Sequence, residues 1–137
     1  MTSSSWSGKE NFRSSVDWPL VEGVASLLKE TCAGLDLSRD SEWICEIVTE
    51  AAENLPSSLA EGQQSEYVAE YILGVSAARN SLVIVSYCFN FLKSQGLVTD
   101  EKADHIEQAL DELEQSLDGL TQSLRKSLPN QWKFQNN

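Results

Sequence analysis

The sequence predicts an all-α fold, an antiparallel up-down-up-down four-helix bundle. Apolar residues recur at spacings of three and four along four segments, which is the period of one helix face. Glycine and proline number only 7 and 3 in 137 residues, so few positions interrupt a helix. The predicted loops at 62–65 and 96–99 are short, and short loops make neighbouring helices antiparallel.

The chain length fits one folded domain with its own core. The serine-rich residues 1–16 are predicted to form a flexible N-terminal arm. Residues 17–128 hold the four periodic segments and form the bundle. Residues 129–137 form a polar tail that also contains Trp132 and Phe134.

The first helix is predicted to begin after Asp17, which acts as its N-cap. Pro19 then falls in the first turn, where its missing backbone N–H removes no helical hydrogen bond. Gly34 is the expected C-cap. The apolar stripe comprises Leu20, Val24, Leu27, Leu28 and Leu35.

The second helix is predicted to open at Ser38, with Asp40 and Glu42 in its first turn, where acids interact favourably with the helix dipole. Pro56 removes one backbone hydrogen bond, so a kink is expected there. Because the stripe continues past the proline, we predict one bent helix that ends at Gly62. The stripe comprises Ile44, Ile47, Val48, Ala51, Leu55 and Leu59.

The third helix is predicted from Ser65–Glu66 to Gly96, and it is apolar on nearly all sides from Leu82 to Leu92. Its main stripe comprises Tyr71, Val75, Ala78, Leu82, Val85, Phe89 and Leu92, and a second stripe comprises Val68, Ile72, Ile84, Cys88 and Phe91. A four-helix monomer covers only part of each helix, so the excess apolar surface indicates a subunit interface or a partner groove.

The possible interface residues are Ile72, Arg79, Asn80, Ile84, Cys88 and Phe91. Two interpretations of Arg79 and Asn80 remain open. They form either an exposed polar stripe or a polar specificity contact between subunits.

The fourth helix is predicted to start at the N-cap Thr99 and to end before Pro129, with Arg125 and Lys126 in its last turn. Its leucine-rich seam comprises Ile106, Leu110, Leu113, Leu117, Leu120 and Leu124, and acidic residues fill the outer face.

The chain is acidic, with 21 Asp and Glu against 10 Lys and Arg, a net charge of −11. This charge disfavours binding to nucleic acid and to anionic membranes. No uninterrupted apolar run approaches the length of a membrane span, and the N-terminus has no signal-peptide pattern. We therefore expect a cytoplasmic protein without a membrane partner.

No catalytic, cofactor-binding or metal-binding residues are predicted, so the chain is not expected to be an enzyme. Cys32, Cys45 and Cys88 sit at helical spacing among apolar residues and are expected to be small core residues. His105 is the only histidine and lies in an acidic helix, where it is expected to be solvated. A di-iron bundle would need two Glu-x-x-His motifs, which one histidine cannot supply.

The segment Ala51-Ala52-Glu53-Asn54-Leu55-Pro56-Ser57-Ser58-Leu59-Ala60-Glu61-Gly62 resembles the end of the second helix in the four-helix-bundle proteins encoded in 23S rRNA intervening sequences. That family includes the accessory variability proteins of diversity-generating retroelements. The motif residues are Ala51, Ala52, Pro56, Leu59, Ala60, Glu61 and Gly62, and the likeness covers residues 37–128.

The resemblance implies a barrel-shaped homopentamer and, for the retroelement members, binding of nucleic acid and reverse transcriptase. Family members often carry basic residues beside the motif, where this chain has Thr49-Glu50 and Gln63-Gln64. Phosphate contacts need such basic residues. Arg125, Lys126 and Lys133 are the candidate residues for a phosphate contact, and an untethered tail is the alternative interpretation of this C-terminal group.

These observations favour a non-enzymatic, homo-oligomeric bundle that acts as a protein-binding assembly or adaptor through its third helix or a pore. The alternative is a nucleic-acid or reverse-transcriptase accessory protein like the retroelement members. The first hypothesis predicts an oligomer without turnover, and the second predicts salt-dependent binding to nucleic acid.

Overall fold

Four helices form where the apolar spacing predicts them, in a computed structural model that describes residues 16–39 and 41–128. The helices are α1 Trp18–Ala33, α2 Glu42–Gln64, α3 Val68–Ser94 and α4 Asp100–Lys126. Each packs against the next, and α1 also contacts α4. The predicted all-α four-helix bundle is therefore confirmed.

The limits predicted for the folded part differ by one residue at the N-terminus. Val16, which was assigned to the arm, is buried in the core. The remainder of the predicted arm, residues 1–15, and the predicted tail, residues 129–137, lie outside the described residues.

Two predicted N-caps are confirmed by their hydrogen bonds. The Asp17 carboxylate accepts from the backbone N–H of Leu20 at 3.1 Å. The Thr99 hydroxyl accepts from the N–H of Lys102, also at 3.1 Å. Both side chains thus satisfy a helix N–H that has no partner within its own helix. Gly34 ends α1 as predicted, so Leu35 lies beyond that helix and is half-buried.

The predicted start of α2 at Ser38 was wrong. The N–H groups of Ser41 and Glu42 both donate to the Ser38 carbonyl, at 2.9 and 3.1 Å, which forms a turn ahead of the helix. The helix begins at Glu42, with Ser41 as its N-cap. Asp40 lies outside the described residues.

The α2 helix continues through Pro56 as a single element, as predicted, and ends at Gln64, two residues after the predicted end at Gly62. Proline has no backbone N–H, so Pro56 cannot donate the helical hydrogen bond to the carbonyl of residue 52. The Ser57 hydroxyl donates to the Glu53 carbonyl at 3.1 Å, which supplies a hydrogen bond beside the proline.

The predicted start of α3 at Ser65 was also wrong, because the Ser65 side chain holds a short turn before the helix. Its hydroxyl accepts from the N–H of Tyr67 at 3.1 Å and donates to the Glu70 carboxylate. The helix therefore begins at Val68.

The C-terminal end of α3 is a glycine cap. The helix ends at Ser94, two residues before the predicted Gly96. Gly96 has φ of 71°, a left-handed conformation that favours glycine. The N–H of Gly96 donates to the Lys93 carbonyl and that of Leu97 to the Leu92 carbonyl, which are the two bonds of a Schellman motif.

The core is built from one buried seam on each helix. On α3 this inner seam is the predicted main stripe, and on α4 it is the predicted leucine-rich stripe. All members of both seams are buried, so the spacing of four and three correctly identifies the core faces.

Candidate association face on helix α3

Helix α3 carries a second apolar seam on the side opposite the core. We call it the outer seam; it comprises Leu73, Ala77, Asn80, Ile84, Tyr87 and Phe91. All six residues are exposed, with Tyr87 at 73% and Leu73 at 68% of full exposure. Val83 is also exposed and flanks the outer seam. Large apolar side chains therefore meet water along most of the length of α3.

A ladder of polar contacts borders the outer seam on the α4 side. The Arg79 guanidinium donates from Nε to Glu114 at 2.9 Å and pairs with Asp118 at 3.3 Å. One heptad further along α3, Ser86 donates to the Glu107 carboxylate at 2.8 Å. A further heptad along, Lys93 pairs with Asp104 at 3.6 Å. Polar residues every seven positions thus separate the core from the outer seam.

Close packing of two helix backbones borders the outer seam on the α2 side. A Cβ at Gly74 would lie 2.6 Å from the Ser58 carbonyl oxygen and 3.1 Å from the Gly62 Cα. A Cβ at Gly62 would lie 3.1 Å from the Tyr71 ring. These two glycines let α2 and α3 approach closely at this point.

The residues of the predicted family motif differ in burial. Ala51, Ala52 and Leu59 are buried, and so is Gly62 at the contact with α3. Pro56 and Ala60 are half-buried, and Glu61 is exposed beside a small cleft between α2 and α3. Gly62 thus places the end of the motif at the α2–α3 contact.

The six predicted interface residues divide into two groups in the structure. Asn80, Ile84 and Phe91 lie on the outer seam. Ile72 and Cys88 are half-buried and pack against the core, and Arg79 is held by α4. Val68, which was predicted to share a second stripe with Ile72, Ile84, Cys88 and Phe91, is buried at the start of α3.

Sequence reasoning missed Leu73 and Tyr87, the two most exposed large apolar residues of α3. The residue spacing of the sequence contains a pattern that identifies both residues. Residues 73, 77, 80, 84, 87 and 91 alternate spacings of four and three, like the inner seam but displaced by two positions. Two positions along a helix turn a side chain to the far face.

The three cysteines come from three helices and lie near one another. The Cys45 thiol donates to the Cys32 carbonyl at 4.0 Å. Burial raises the pKa of the Cys32 thiol, and the neighbouring Cys45 raises it further. Burial also raises the pKa of Cys88, with Cys45 contributing. Thiols with raised pKa values stay protonated at neutral pH, which fits a packing role.

The other titratable groups considered for chemistry are dispersed. His105 is exposed near the start of α4. Within residues 16–39 and 41–128, no group of three or more His, Cys, Asp or Glu side chains is arranged to hold a metal ion. Arg125 and Lys126 are exposed in the last turn of α4, and Lys133 lies outside the described residues.

By length and composition alone, α3 could cross a membrane. Its most apolar 18-residue window has a mean hydropathy of 1.4, and 33% of that window is buried in the bundle. However, α3 is tied along one side to α4, which carries eight acidic residues. Charged residues are costly within a bilayer. The bundle is thus consistent with a soluble protein.

No protein-family model and no curated protein matches this chain. The fold class therefore comes from the structure, and the resemblance to the intervening-sequence family stays a prediction from the motif.

Proposed function

We propose that this chain is a non-enzymatic, self-assembling helical bundle that acts in the cytoplasm as a protein-binding assembly or adaptor. The observation that supports the proposal is the exposed outer seam of α3. Its leucine, isoleucine and aromatic side chains lie along one side of the helix, with Ala77 and Asn80 between Leu73 and Ile84 and with Val83 alongside. Contiguous apolar patches on soluble proteins commonly mark sites of association, because burying them removes apolar surface from water.

Contacts on both sides of the outer seam hold its backbone in a fixed position. The Arg79 contacts with α4 fix one border, and the Gly62–Gly74 contact fixes the other. The seam lies on a helix of 27 residues, so its side chains are held on a regular scaffold. A rigid surface binds with less loss of conformational entropy than a mobile one.

The resemblance to the intervening-sequence family supplies a subunit count, and five copies are expected. The direct test is the native mass, measured by light scattering on a sizing column at several protein concentrations. We expect a mass near five times the 15.2 kDa of one chain. Another oligomeric mass would remove the pentamer but keep self-assembly, and a monomer at all concentrations would contradict both.

A second candidate function is that of a nucleic-acid or reverse-transcriptase accessory protein. The resemblance favours it, as does the exposed basic pair Arg125 and Lys126 at the end of α4. A gel shift with single-stranded and duplex RNA and DNA at low salt tests it. Binding that is lost in the double variant Arg125→Glu, Lys126→Glu would support this candidate, and absence of binding by the wild type would contradict it.

The two candidates predict opposite responses to salt. Contacts with phosphate weaken as salt rises, because counterions compete for the nucleic acid. Self-association of a chain with net charge −11 is opposed by charge repulsion, which salt screens. Raising NaCl from about 0.05 M to about 0.5 M is therefore expected to strengthen the assembly.

A further inference from the structure

The side chains of Cys32 and Cys45 lie close together at the junction of the first two helices. Cys32 is in the last turn of α1 and Cys45 is in the first turn of α2, 13 positions further along the chain. The Cys45 Sγ lies 4.0 Å from the Cys32 carbonyl oxygen. Burial raises the pKa of the Cys32 thiol, and a side-chain hydrogen bond with Cys45 raises it further. The two thiols are therefore in contact.

The same two cysteines line one open cleft between α1 and α2. The cleft has a volume of about 710 Å³. Cys45 is half-buried, whereas Cys32 is only 9% exposed, so the Cys45 sulfur is the more accessible of the two. A small molecule that enters the cleft can thus reach one sulfur while the second sulfur lies beside it.

The charges around the cleft favour one kind of reagent. A single cation, Lys29, lines the cleft together with four acids, Glu42, Glu46, Glu50 and Glu53. This excess of negative charge repels anionic reagents such as oxidised glutathione, but it does not repel a neutral molecule. Hydrogen peroxide is small and neutral, and thiols are oxidised by such reagents to sulfenic acids and then to disulfides.

We propose that Cys32 and Cys45 form a reversible disulfide when a neutral hydroperoxide oxidises the protein, and that this bond fastens the end of α1 to the start of α2. The inference is independent of the self-assembly proposed above. Since the bond closes the segment between the two helices into a loop, it restricts the unfolded chain and stabilises the bundle.

The reaction consists of two displacements. The Cys45 sulfur attacks one peroxide oxygen and the O–O bond breaks, which gives a Cys45 sulfenic acid and one water molecule. The Cys32 sulfur then attacks the Cys45 sulfur, so that the S–S bond forms, the S–O bond breaks and a second water molecule leaves. In total the two thiols lose two electrons and two protons, and the peroxide takes up both.

Cys88 on α3 provides an internal control. Burial raises the pKa of its thiol and the charge of Cys45 contributes, so Cys88 lies near the pair. Among the described residues, however, no hydrogen bond joins the Cys88 thiol to Cys32 or Cys45. The contact between Cys32 and Cys45 thus selects one of the possible pairs.

Peptide mapping of the full chain after treatment with hydrogen peroxide tests the pairing. Trypsin cleaves after Lys and Arg and places the three cysteines in separate peptides, residues 30–39, 40–79 and 80–93. We expect peptides 30–39 and 40–79 to be joined, with a mass about 2 Da below the sum of the two thiol forms. Dithiothreitol should separate them, and the Cys88→Ala protein should form the same link.

Three other products of this experiment would overturn the proposal. A link between peptides 40–79 and 80–93 would assign the disulfide to Cys45 and Cys88. A link between two chains, seen as a doubled mass on a non-reducing gel, would make the bond intermolecular. Thiols that stay reduced, or that proceed to sulfinic acid without a link, would show that the two sulfurs do not react with each other.

Thermal unfolding tests whether the bond fastens the helices. The oxidised wild type is expected to unfold about 5–10 °C above the reduced wild type, and dithiothreitol should remove the difference. Cys45→Ala keeps Met1 and Cys88 as other oxidisable residues and should show no rise with peroxide. Cys32→Ala serves instead if Cys45→Ala does not fold. An equal rise in either variant, or no rise in the cross-linked wild type, would overturn the fastening of α1 to α2.

Discussion

Helices α3 and α4 have the same length, 27 residues, and each buries one heptad seam, yet their exposed faces differ in chemistry. The outer face of α4 is acidic, whereas that of α3 presents Leu73, Ile84, Tyr87 and Phe91 to water. The bundle alone requires only the inner seams. The outer face of α3 is therefore an exposed apolar surface that the packing of the bundle does not require.

The largest expected effect is a difference in the free energy of unfolding between substitutions on the two faces of α3. Phe89 is buried in the inner seam, and Phe91 is exposed in the outer seam. Phe89→Ala should lower the free energy of unfolding by about 3–5 kcal/mol, because it leaves a cavity in the core. The measurement is denaturant unfolding at two protein concentrations.

Phe91→Ala is the matched comparison. It should destabilise the protein only at the concentration at which the wild type is assembled, since stabilisation by association depends on concentration. Equal losses of stability for Phe89→Ala and Phe91→Ala at both concentrations would remove the distinction between the inner and outer faces.

The next effect compares two helical glycines. Gly74→Ala on α3 would place a Cβ 2.6 Å from the Ser58 carbonyl oxygen, and backbone atoms cannot easily move away. We expect a loss of about 1–3 kcal/mol in the free energy of unfolding. Gly119→Ala on α4 meets no atom within 4 Å and should instead gain about 0.5–1 kcal/mol. Thermal unfolding of both variants measures the two signs, and a stabilised Gly74→Ala protein would contradict the close α2–α3 contact.

The smallest effect concerns the tie between α3 and α4. Arg79 and its partners Glu114 and Asp118 are partly exposed, so solvent screens their attraction. Arg79→Met keeps an unbranched apolar stem in place of the aliphatic part of the arginine and should cost less than about 1 kcal/mol in the free energy of unfolding. Its native mass should stay that of the wild type, because Arg79 points to α4 and not to the outer seam. A monomeric Arg79→Met protein would place Arg79 in the subunit contact instead.

The sequence was sufficient for the fold because apolar spacing reports burial directly. Each member of the α3 inner seam and of the α4 seam is buried as its spacing predicts. The caps at Asp17 and Thr99 were predictable because their side-chain oxygens accept from a nearby N–H. These features depend on local sequence and need no knowledge of the other helices.

The errors arose where tertiary or side-chain contacts decide between nearby alternatives. Ser38, Ser41 and Ser65 can all cap a helix, and the backbone turn at Ser38 and the Ser65 hydrogen bonds shift the starts of α2 and α3. The orientation of Arg79 toward α4 could not be predicted, since it depends on acids 35 and 39 positions away. The exposed stripe through Leu73 and Tyr87 was visible in the spacing, but the inner stripe offered the same pattern.

The polar ladder on the α4 side repeats with the same period as the apolar seams that it borders. Two heptad seams interlock equally well after a shift of seven residues, about 10 Å, so apolar packing alone permits several alignments. The acids of α4 also recur every seven residues, at 104, 111 and 118 and at 107 and 114, so a shifted alignment keeps part of the ladder. All three contacts of Arg79, Ser86 and Lys93 form together only in the observed alignment, to which the ladder therefore adds a modest preference.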